Sequence, residues 1–217
     1  MTVKVTFYHD VLCVWCFLLS PRLRRLAVEF GGELEIEHRG FALAPRPESI
    51  AEMFGGDDEG KTEVLRHWAA AAGHPDGERI HTELMRQRDF SYPYSMPGLL
   101  ACQAAAVQGG QNAYWNMFDR VQKAHATEAR NIADSEVLED LATEIGLDMG
   151  RWKSDFQDPA TRQTVQGDIE QADALGIYAV PTLVLNDRWV LQGAVAETDL
   201  RRVIATIVAG GDPSRLT

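Results

Sequence analysis

The sequence is short of cysteine, of positive charge and of long apolar runs, and each shortage excludes something. Three cysteines, Cys13, Cys16 and Cys102, are too few to staple a fold with a disulfide framework. A close pair without such a framework points to catalysis, redox sensing or metal binding, as expected of a reducing compartment. Acidic residues outnumber basic ones, 32 to 21, for a formal net charge of −11. That balance argues against nucleic acid and anionic membranes as main partners, and leaves proteins and small molecules open. No apolar run reaches the ~20 residues that cross a bilayer. Met1 to Phe7 alternates apolar with polar, which reads as a strand rather than as a basic stretch leading an apolar signal core. A cytoplasmic protein is expected, either monomer or homodimer. No internal repeat or low-complexity tract is present.

What is there suffices for a large core: 217 residues, 45% of them hydrophobic. Val3 to Tyr8 reads as a strand. A helix follows from Cys13 to about Phe30, with Leu18, Leu19, Leu23 and Leu26 at helical spacing, a kink at Pro21 and a stop at Gly31-Gly32. Arg22, Arg24 and Arg25 on it read as a solvated face. Glu33 to Phe41 alternates again, which makes a β-α-β unit with parallel strands.

The middle of the chain is helical in pattern: Glu48–Met53, Glu63–Ala72, Glu78–Arg88, Pro97–Gln108, Ala113–His125, Ser135–Ile145 and Ala160–Leu175, parted by glycine and proline breakers. Asp134 or Ser135 caps one of these. Strands return at Thr182–Leu185 and Arg188–Gln192 around an Asn186-Asp187 turn, and a closing helix spans Glu197–Val208. The expected fold is α/β and thioredoxin-like: a mixed four-stranded sheet, β-α-β then β-β-α, with an inserted all-helical subdomain. Residues 1–45 and 160–217 would form the thioredoxin-like domain and residues 46–159 the insertion.

Cys13-Val14-Trp15-Cys16 lies after a strand and at the start of a helix. The free amides and the dipole of a helix N-terminus favour an anion. A cysteine at the cap presents its sulfur to the amides of Trp15 and Cys16, which lowers the pKa of such thiols to between ~3.5 and ~7.5. Cys16, one turn in, stays shielded, and the spacing brings both sulfurs within disulfide reach. Zinc is disfavoured: no second CxxC exists, and the six histidines form no H-x3–5-H pair.

A second signal is Val180-Pro181-Thr182 at the head of the third strand. Proline is tolerated at a strand start for its own sake. Beside a CxxC motif it gains meaning, because X-Pro bonds can be cis and a cis bond here turns the Val180 backbone toward the sulfurs.

Strand–CxxC–helix, a helical block, then VPT, a hairpin and a final helix resembles the DsbA-like branch of the thioredoxin superfamily. Asp10-Val11-Leu12-Cys13-Val14-Trp15-Cys16 is similar to the D-x-x-C-P-W-C pattern of its FrnE-type subgroup. Asp168, Ala172, Gly176-Ile177 and Gly193-Ala194 extend the resemblance over nearly the whole chain. It implies a dithiol–disulfide oxidoreductase acting through a mixed disulfide on thiol- or disulfide-containing proteins or small molecules. Cys13 would be the nucleophile, Cys16 the resolving thiol and Pro181 the cis-proline. The Val180 backbone would pair with a bound thiol peptide, and Val14 and Trp15 would line the site. No cofactor or metal is implied; glutathione is a possible co-substrate. The alternative on this fold is a glutathione-dependent isomerase or kappa-class-like glutathione transferase, which Cys13 in place of serine disfavours.

Two departures stand out. Val14 replaces the usual proline. Phe7 occupies the position, six before the first cysteine, where thioredoxin and DsbA carry a buried acid, so proton transfer at Cys16 would fall to Asp10, His9 or water. Cys102 reads as a small buried hydrophobe. Trp68, Trp115, Trp152 and Trp189 read as packing residues, and Tyr92-Pro93-Tyr94-Ser95 as a segment that faces the active site.

Overall fold

A computed structural model describes residues 2–215. Four strands form one sheet in the order β2-β1-β3-β4: β1 is Val3–His9, β2 Leu34–Gly40, β3 Thr182–Leu185 and β4 Trp189–Gln192. β1 and β2 run parallel, with Val5 opposite Ile36. β1–β3 and β3–β4 are antiparallel, with Val5 opposite Leu185 and Leu183 opposite Leu191. This is the mixed sheet expected from β-α-β followed by β-β-α, and the fold is thioredoxin-like. The hairpin turns through Asn186 and Asp187, both with left-handed backbone, a conformation these two side chains tolerate.

The helices among the described residues are α1 Val14–Phe30, α2 Ser49–Phe54, α3 Asp57–Ala72, α4 Thr82–Arg86, α5 Ser95–Ala126, α6 Ser135–Glu144, α7 Met149–Gln157, α8 Pro159–Ala174 and α9 Glu197–Val208. β1 is covered on both sides because successive side chains point to opposite faces. Phe7 and His9 pack against Phe118 of α5. Tyr8, on the other face, meets Ala172 and Ile177 and donates its hydroxyl to Gln171 of α8 at 2.9 Å.

Several expectations are corrected. α1 runs on through Pro21. Proline cannot donate to the Phe17 carbonyl four residues back, and the Arg79 guanidinium takes that place, donating to the carbonyl at 3.2 Å. Arg22 is not solvated: it is buried, ion-paired to Asp76, and donates to the carbonyls of Pro75, Ala194 and Val195. Arg24 stacks over the Trp115 ring, while Arg25 stays exposed as expected and pairs with Asp76 and Glu197. Glu78–Arg88 is not one helix. A 3-10 turn at Gly77–Arg79 and the short α4 flank an extended Ile80, where the His81 N–H goes to the Ala126 carbonyl at 2.8 Å. α7 was not expected; Asp148 caps it, and Trp152 and Phe156, four apart, stack inward. α5 is two helical runs, 95–108 and 111–126, joined through Gly109 and Gly110, and the positive φ of Gly110 suits glycine.

Candidate active site

β1 ends at His9, and four residues later α1 begins with Cys13 as its cap. The Cys13 N–H donates to the Asp10 carbonyl at 3.1 Å, which closes the loop into a turn. The Cys13 sulfur accepts the Cys16 N–H at 3.2 Å. Of the two amides expected at the sulfur, only that of Cys16 makes the bond. The Val180–Pro181 peptide bond is cis, and the Val180 carbonyl accepts from the Cys13 thiol at 3.5 Å. Thr182 Oγ1 braces that loop by donating to the Ala179 carbonyl at 2.7 Å.

Cys16 is fully buried one turn inside α1. Burial pushes the Cys16 thiol well up; the neighbouring Cys13 adds to that, while the Asp10 backbone opposes it. Cys13, Val14, Trp15 and Val180 all border one apolar cleft of about 270 Å³. Its other walls are Leu12, Leu43, Ile50, Met53, Phe54, Val64, His67, Trp68 and Tyr92, with no lysine or arginine among them. Trp15 also meets the His74 ring edge-on. Trp68 is therefore both buried packing and cleft wall. Tyr92 is held there by the Trp68 indole N–H at 3.1 Å and by His125 Nε2 at 2.9 Å.

Asp10 and His9 have different fates. Asp10 is fully buried, accepts from Leu12 N–H, Leu43 N–H and the Ser95 hydroxyl, and burial raises its carboxyl to about 6 against those bonds. His9 packs among the rings of Phe7, His38, Tyr114 and Phe118 with neither ring nitrogen hydrogen-bonded, and burial lowers it to about 3. Cys102 is buried on α5, away from the cleft walls, with its thiol raised by burial.

Two positioning residues were not foreseen. Gln122 of α5 donates Nε2 to the carbonyls of Cys13 at 2.9 Å and Asp10 at 3.2 Å, pinning the cysteine loop from below. Gly98 lets α5 approach that loop: a Cβ there would lie 2.7 Å from a Val11 methyl. Neither carries a local sequence signal, because both act across more than 80 residues of chain.

A strand–loop–helix on a thioredoxin-like fold thus caps one cysteine, buries a second and sets the carbonyl before a cis-proline against the first. The chain belongs to the family of DSBA-like thioredoxin domains, whose model matches residues 4–205, and so to the DsbA-like thiol–disulfide oxidoreductases. Bacillus subtilis YwbO is 29% identical over 94% of this chain and 97% of its own length. The cytosolic disulfide reductase DsbM from Pseudomonas aeruginosa, solved with GSH, superposes with a TM-score of 0.74 at 25% identity over 95% of this chain and 99% of that one. A 2-hydroxychromene-2-carboxylate isomerase shares the fold, with a TM-score of 0.66 and 17% identity over 99% of each chain. No helix among the described residues is long and apolar enough to cross a membrane.

Proposed function

We propose that the chain exchanges dithiols for disulfides through Cys13 and Cys16. The observation that carries this is the cap geometry: the Cys13 sulfur meets the Cys16 amide and borders the cleft, while Cys16 is sealed beneath it. The Cys13 thiolate attacks a substrate disulfide; a Cys13–substrate S–S bond forms and the second substrate sulfur leaves and takes a proton. Cys16 then attacks the Cys13 sulfur, releasing the first substrate sulfur and leaving a Cys13–Cys16 disulfide. Two electrons pass from the dithiol to the substrate, and the reverse sequence oxidises a dithiol. Val14, Trp15 and Val180 contact the substrate, and Pro181 sets the Val180 backbone.

The D-x-x-C-x-W-C loop supports placement in the FrnE-type subgroup, with Val14 in place of its proline. The scarcity of cysteine and the cytosolic DsbM relative support a cytoplasmic role. A second reading, with glutathione as co-substrate, draws support from DsbM having been solved with GSH.

The test is trapping. Cys16→Ser removes the resolving thiol but keeps the backbone amide at residue 16, so it should attack and stall. Non-reducing gels from lysate should show adducts that dithiothreitol removes, and Cys13→Ser should show none. Adducts formed equally by both variants, or by neither, would overturn the assignment.

A further inference from the structure

Two walls of the cleft hang by their backbones from one carboxylate. The Leu12 N–H donates to Asp10 Oδ1 at 2.8 Å and the Leu43 N–H to Oδ2 at 2.5 Å. The Ser95 hydroxyl donates to the same Oδ2 at 2.6 Å and accepts the Ala44 N–H at 3.0 Å, while the Ser95 N–H donates to the Ala44 carbonyl at 2.7 Å. Asp10 therefore ties the cysteine loop, the segment after β2 and the start of α5 into one buried knot. Leu43 is 39% exposed, so its own packing does little to hold it; the backbone anchor does.

We propose that Asp10 is a positioning residue that sets the mouth of this cleft, its carboxylate holding Leu12 and Leu43 where an apolar group can lie beside Cys13 and react with it. The inference rests on the dithiol reading of the site. An ionised carboxylate offers acceptor positions to all three donors. A protonated one turns one oxygen into a donor, and a buried N–H or hydroxyl then loses its partner, which a dry site does not tolerate. The 43–44 segment loosens and the cleft loses its shape.

Burial brings this change to about pH 6. Asp10 acts electrostatically on Cys16 of α1, on Tyr92 ahead of α5, and on Cys102 and Tyr114 of α5. Burial raises Cys16, Tyr92, Cys102 and Tyr114, so none of these four changes charge between pH 5 and 8.

The test compares two alkylating reagents on Cys13 of the full chain, pyrene maleimide and N-methylmaleimide, with the Cys13 peptide quantified by mass spectrometry. The ratio of their rates reports the cleft, because the ionisation of Cys13 affects both reagents alike and cancels. In the wild type the ratio should fall about threefold to tenfold between pH 7.5 and 5, the range expected for one lost buried hydrogen bond. Asp10→Asn should show a low ratio that does not change with pH. Ser95→Ala, which keeps the carboxylate and two donors, should show a partial loss that still titrates. A pH-independent ratio in the wild type, or an Asp10→Asn profile that overlays it, overturns the proposal. If Asp10→Asn does not fold by circular dichroism, the wild-type profile and Ser95→Ala decide. Alkylation involves no disulfide turnover, so failure of the exchange reaction and failure of this inference are read separately.

Discussion

His9 and Asp10 are neighbours in sequence, both without solvent exposure, and the protein treats them in opposite ways. His9 is the last residue of β1 and points into the rings of Phe7, His38, Tyr114 and Phe118. No hydrogen bond reaches either ring nitrogen, and the imidazole behaves as an aromatic filler. Asp10, one residue on, collects three donors. A neutral ring can go without partners at modest cost; an ionised carboxylate in a dry site cannot. The pair shows that burial of a polar residue does not mark a site. The number and origin of its partners do, and those of Asp10 come from three separate elements.

The strongest way to break the comparison is to exchange chemistries. His9→Asp would put a carboxylate where no donor waits. It should cost about 3–5 kcal/mol, the penalty of an uncompensated buried charge, or prevent folding altogether. Urea unfolding at pH 7 measures this, and a loss under about 1 kcal/mol would show that the aromatic pocket is not dry.

Acid stability sharpens the comparison, because the two neighbours push it in opposite directions. His9 and His125 are held at about 3 and His38 well below its ordinary range, all three chiefly by burial. An unfolded histidine takes a proton below about pH 6.5, which these folded ones refuse, so their stabilisation is whole above that pH and drains as pH falls. Asp10 has the reverse sign. Its folded value is about 6, against an unfolded ~3.9. The folded state therefore holds a proton between pH 6 and 4 that the unfolded chain lacks, and stability rises as pH falls through that window. In urea unfolding between pH 6 and 4, His9→Phe should flatten the dependence by about 1.4 kcal/mol per pH unit and Asp10→Asn should steepen it by a similar amount. Shifts of the same sign in both variants would refute the contrast.

The smallest effect is expected of His9→Phe at pH 7. It keeps an aromatic ring against Phe118 and removes two unpartnered nitrogens, so unfolding free energy should stay within about 1 kcal/mol of wild type. A larger loss would mean that a nitrogen of His9 has a partner, such as buried water.

The parts of the fold legible in the sequence were those written locally. The alternation of β1, the helix opening at Cys13, the stop at Gly31 and the Asn186-Asp187 turn each carry their own residue preferences, and each stands where the pattern put it. The misreadings came where distant partners override local preference. Asp76 and three carbonyls draw Arg22 inside. The contact of His81 with Ala126 accompanies the break in what reads as one helix from Glu78 to Arg88.

The candidate site divides along the same line. Sequence alone marked the atoms proposed to react, since a sulfur at a helix cap, a second one turn inside and a proline heading a strand are set by spacing within short stretches. Tertiary structure alone decided what surrounds them: that Gln122 holds the loop from below, that Leu43 walls the cleft, and that Asp10 is a partnered acid while His9 is a ring in the core. The reason is physical. Backbone conformation is governed by neighbours along the chain, whereas burial and hydrogen-bond partnership depend on groups that folding brings in from 30 to 170 residues away.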